Sequence, residues 1–106
     1  MGITWIKTQN GSIINVNNIA VINFQKNGTN PITYEINAYI NDFDTDKLML
    51  ILRGEDEKFM NEFYKNLSNV LAMSHPPLPL LDVNEFIGEV ERKIARDKKE
   101  RETQER

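Results

Sequence analysis

After Arg53-Gly54 the apolar residues of this chain change period. Before that point "ITYEINAYI" alternates, with Ile32, Tyr34, Ile36, Ala38 and Ile40 on one side and Thr33, Glu35, Asn37 and Tyr39 on the other. A period of two marks a strand with one face buried. After that point Phe59, Phe63, Leu67, Val70 and Leu71 recur at helical spacing, with Met60 and Tyr64 beside them. Glu55, Asp56 and Glu57 open that stretch, where the helix dipole favours negative charge. A single switch from strand to helix period implies an α+β chain, with a sheet built first and a helix laid across it.

The strand half divides at its turns. "ITWIKT" and "IINV" flank Gln9-Asn10-Gly11-Ser12, and Asn-Gly between apolar runs is a hairpin signal. Asn15 to Asn18 form a second corner. "IAVINFQK" leads to "NGTNP", the alternating strand follows, and "KLMLIL" comes after a polar turn. The order predicts a five-stranded antiparallel meander packed by one helix.

Beyond the helix, "MSHPPLPLLDV" (Met73 to Val83) holds three of the four prolines. Pro76 and Pro79 make a P-x-x-P, the extended form that SH3-type domains bind. The basic anchor such ligands carry is missing: Met73 and Leu81 stand where it would be. Leu78, Leu80, Leu81 and Val83 favour a strap packed on its own sheet or on a second subunit. Asp82 then caps a second helix, with Glu85 placed for a capping box. Val83, Phe86, Ile87, Val90 and Ile94 form its stripe, and the polar "ARDKKERETQER" carries it toward solvent. The organisation expected is a sheet-and-helix domain over residues 1–72, a proline-rich strap over 73–82 and a partly extended C-terminal helix or arm over 83–106.

Charge is unevenly placed. Residues 1–91 carry six Lys/Arg and twelve Asp/Glu, a balance of −6, whereas residues 92–106 carry seven and four, a balance of +3. An acidic body disfavours a broad nucleic-acid face. The tail keeps a local option open through Arg92, Lys93, Arg96, Lys98, Lys99 and Arg101 against phosphates, weakened by four interleaved acids.

Little else points to chemistry. There is no cysteine, so no disulfide, thiolate nucleophile or cysteine-ligated metal is expected. His75 is the sole histidine, and its neighbour Ser74 lacks a third orienting group. "DFDTD" (Asp42 to Asp46) resembles the start of a calcium loop, but Lys47 and Arg53 stand where glycine and a bidentate glutamate are needed. Gly11, Gly28 and Gly54 are lone turn glycines, not a phosphate cradle. The strand aromatics Trp5, Phe24, Tyr34 and Tyr39 lack the interleaved Arg and Lys of base-stacking faces, so core packing is the reading for most of them. No catalytic, cofactor-binding or metal-binding residue is assigned. No leader and no membrane-spanning run is read, and a cytoplasmic location without a membrane partner is expected.

"WIKTQNGSIINVNNIAVI" resembles the opening of a group of small bacterial and phage proteins that begin with a Trp-Ile-x-Thr-x-x-Gly hairpin. "KLMLILRGEDEKFMNEFYKNL" is similar to their last strand and helix. The resemblance covers about residues 3–72 and implies a sheet capped by a helix, loosely similar to pleckstrin-homology-like barrels. It carries over no functional residue. The expected function is non-enzymatic: a protein-interaction, structural or adaptor protein, phage- or prophage-encoded. It would self-associate through Leu78, Leu80, Leu81, Val83, Phe86, Ile87, Val90 and Ile94, with a homo-oligomer or another protein as partner.

Overall fold

The computed structural model describes residues 5–42, 45–72 and 80–104. Strands β1 (Trp5–Lys7) and β2 (Ile13–Asn15) form an antiparallel hairpin. A 3-10 turn (Val16–Asn18) leads into β3 (Ile19–Asn27), β4 (Thr33–Asp42) and β5 (Thr45–Gly54). Helix α1 (Glu57–Leu71), strand β6 (Leu80–Asp82) and helix α2 (Val83–Gln104) complete the order.

The α+β class stands, but the five strands do not make one meander. They split into two sheets: β3-β4-β5, wholly antiparallel, and β2-β1-β6, in which β6 runs parallel to β1. The split occurs at the Asn15 corner. Asn15 accepts the Asn17 amide on its side-chain oxygen at 2.9 Å and caps the 3-10 turn, which redirects the chain before β3 begins. The strap then supplies what β1 would otherwise lack. Trp5, Ile6 and Lys7 pair with Leu80, Leu81 and Asp82.

The Asn-Gly sites turn the chain as expected. Gly11 (φ 92°) lies in a five-residue loop closed by the Thr8 amide donating to the Ser12 carbonyl at 2.7 Å. Gly28 (φ 76°) is more constrained, because a Cβ there would sit 2.9 Å from the Pro31 carbonyl oxygen.

One core joins both sheets. Ile6, Ile14 and Leu81 align across the small sheet and face inward. Tyr34, Ile36, Ala38 and Ile40 do the same on β4. A bulge lets two successive residues of β5 be buried: the register passes from Ile36–Leu52 to Asn37–Leu50, so Ile51 is extra and both Ile51 and Leu52 are covered. Helix α1 lays Met60, Phe63 and Leu67 on this surface, and Asp56 caps its start by accepting the Phe59 amide at 3.3 Å. Helix α2, capped by Asp82 accepting the Asn84 amide at 3.0 Å, adds Val83, Phe86 and Val90. Gln9 ties the parts together. Its amide donates to the Ile51 carbonyl, its side-chain oxygen accepts the Arg53 amide, and its carbonyl accepts the Asn84 side chain.

Candidate functional site

The C-terminal stripe read as an interface faces the chain's own core. Leu81, Val83, Phe86 and Val90 are buried, and Ile87 and Ile94 pack against the same cluster. Phe86 meets Phe63 edge-to-face with centroids 5.2 Å apart. Of the residues expected to hold a second subunit, Leu80 alone among the described ones is substantially exposed. The reason is topological: β6 hydrogen-bonds to β1, which folds α2 back over the body with its apolar side inward. Leu78, His75, Pro76, Pro79 and Asp44 lie outside the described residues.

The basic residues of α2 separate by position. Lys93 is tied to the body, its ammonium donating to the Asn66 side-chain oxygen at 2.9 Å. Arg92, Arg96, Lys98 and Lys99 are exposed, and Arg101 lies in the last turns of the helix. At ~100° per residue Arg92, Arg96 and Lys99 share the side of α2 opposite Phe86, Val90 and Ile94. Between the start of α1 and α2 runs a groove of about 420 Å³, floored by Phe59, Ile94 and Ala95 and rimmed by Asp56, Lys58 and Glu91.

The outer face of the β3-β4-β5 sheet carries a feature that periodicity did not reveal. Register places Val21 opposite Tyr39 and Tyr39 opposite Leu48. The three form an apolar row across the sheet, 50%, 39% and 54% exposed. Trp5 and Tyr39 are thus surface aromatics, whereas Tyr34 is buried and Phe24 stacks on it at 6.0 Å.

Beside that row the face turns polar and is shielded by its own side chains. Glu35 is only 7% exposed although it lies on the outward side of β4. One carboxylate oxygen accepts Arg53 Nη2 at 2.6 Å and Nε at 3.1 Å, and the other accepts Asn27 Nδ2 at 2.7 Å. The Arg53 hydrogen bonds, then that from Asn27, hold the Glu35 carboxyl below its ordinary 4.5 against the opposing effect of burial. A depressed folded value means that the pair stabilises the fold above about pH 4.5 and that this contribution fades as pH falls through the folded value. Glu35→Gln is expected to be less stable than wild type at neutral pH by about 1 kcal/mol, because Arg53 is half-exposed and screened. Thermal melts between about pH 2 and 7 should show the two curves converging in acid. Parallel curves would exclude this origin.

On the inner side, the Tyr34 hydroxyl donates to Glu57 at 2.9 Å, and that bond, burial and the carboxylate charge together raise its pKa above the ordinary 10. Among the described residues no group of three His, Cys, Asp or Glu is placed to hold a metal ion, and no helix is long and apolar enough to cross a membrane.

No family model, curated protein or solved structure matches this chain. Two exposed surfaces stand out among the described residues: the Val21–Tyr39–Leu48 row and the outward side of α2.

Proposed function

We propose that this chain is a non-enzymatic interaction or structural module of the cytoplasm that self-associates through its C-terminal arm. The reading rests on α2. Its apolar side closes the chain's own core, while its outward side presents an ordered series of charges that pair with nothing else among the described residues, save an interaction of Lys99. The resemblance of the Trp5 to Gly11 hairpin favours a phage or prophage setting.

The measurement is the solution mass of the full chain by light scattering over a wide concentration range. Self-association gives a mass that climbs from the 12.3 kDa monomer toward twice that value. A constant 12.3 kDa at every concentration refutes the reading. The shared side of Arg92, Arg96 and Lys99 favours a second reading, phosphate contacts to nucleic acid. That reading predicts heparin retention that falls steeply with salt.

A further inference from the structure

We infer that two copies of this chain pair through the outward sides of their α2 helices, antiparallel about a two-fold axis, by acid-to-base matching. This rests on the self-association reading above and specifies its surface. Glu85, Glu89, Arg92, Arg96 and Lys99 are all exposed. At ~100° per residue they fall within about 80° of one another around the axis, on the far side from Val83, Phe86 and Val90. Along that strip the order is acid, acid, base, base, base.

Within a single helix this order is only partly satisfied: Glu85 in the first turn suits the dipole and Glu89 stands three residues before Arg92. Glu85 and Glu89, and likewise Arg92 and Arg96, are like-charge neighbours four residues apart, which repel. It suits an antiparallel copy well. Residues at one level of an antiparallel pair have a constant sum of numbers. The register that sets Glu85 opposite Arg96 also sets Glu89 opposite Arg92, and the two-fold axis repeats both pairs. A parallel pair would set acid on acid and base on base. A polyanion would use the basic half and be repelled by Glu85 and Glu89, which is why a second copy is the occupant chosen.

Small residues flank the strip on one side. Gly88 lies at the margin of the strip, where a Cβ would meet only the Arg92 guanidinium, at 3.4 Å, so the chain's own packing does not demand glycine there. Ala95, one heptad on, is exposed.

The test is charge exchange on the full chain, read by sedimentation equilibrium. Wild type should dimerise, with a dissociation constant at least about tenfold weaker when salt rises from ~50 mM to ~500 mM. Arg92→Glu/Arg96→Glu and Glu85→Arg/Glu89→Arg should each be monomeric alone and form a 1:1 dimer when mixed. The chain bearing all four changes should dimerise with itself, as the antiparallel register alone allows, because it still sets opposite charges at 85 and 96 and at 89 and 92. Urea midpoints near wild type for each variant confirm that they fold. A dimer that ignores both exchanges overturns this surface while leaving self-association standing, with the Val21–Tyr39–Leu48 row as the next surface to test. A mixture that stays monomeric overturns the pairing. A wild-type monomer at all concentrations overturns both the pairing and the reading beneath it.

Discussion

Phe86→Asp is expected to unfold this chain, not to split an assembly. Phe86 is 9% exposed and meets Phe63 edge-to-face at 5.2 Å. Aspartate in its place loses that contact and the apolar burial together. It also forces a carboxyl group into a cluster of Phe63, Val83 and Val90, where it must either stay protonated or be desolvated as an anion. Losses of this kind reach roughly 4 kcal/mol or more, against a total stability of about 5–15 kcal/mol for a domain. Circular dichroism with urea at neutral pH should show no cooperative transition, or one displaced to very low denaturant. A folded Phe86→Asp chain with an unshifted midpoint would mean that α2 does not seal this core.

Phe63→Ala should be nearly as damaging by a different route. The ring is wholly buried between the sheet and α2 and contacts both Phe59, at 6.1 Å, and Phe86. Its removal leaves a cavity where two helices and a sheet meet, and such truncations cost about 3–5 kcal/mol. With a urea slope of ~1–3 kcal/mol/M, the midpoint should fall by about 2 M. A loss below about 1 kcal/mol would mean that the α1–α2 contact closes over the gap. The two variants also separate cavity from charge: Phe63→Leu should recover much of the loss, whereas Phe86→Asn should remain severe.

The helices and β4 were legible because each spans several repeats of its period, and β3 and β5 because apolar runs stand between turn signals. Phe59, Phe63 and Leu67 identify α1 by spacing alone, and Asp82 caps α2 as its position suggests, whereas Asp56, read as first-turn charge, is the cap of α1. The division into two sheets was not legible. Asn15 to Asn18 announced a corner, but a corner does not say whether the next strand returns to pair with the last. Strand β6 is three residues long and follows prolines, too short to display any period. The stripe of α2 was visible as a stripe, yet the pattern is the same whether its cover is this chain or another. What decides is the long-range pairing of Leu81 with Ile6. The outward strip of α2 was present as Glu85, Glu89, Arg92, Arg96 and Lys99, but a net charge summed over a tail hides the order of signs on one face. The Glu35–Arg53 pair needed the register of β4 on β5, because the two residues lie 18 positions apart.

The parallel pairing of β6 with β1 bears on how the chain is born. Trp5 leaves the ribosome 75 positions before Leu80, its partner in the sheet. At roughly 5–20 residues per second the hairpin waits about 4–15 s for that strand. Throughout this interval Ile6 and Ile14 have no finished floor beneath them, and the β1 edge is open to any passing strand. Strand β6 and helix α2 thus act as a clasp that closes only after every other strand of the core has been made. Nascent chains that stall or are cut before residue 80 are those most exposed to aggregation and proteolysis.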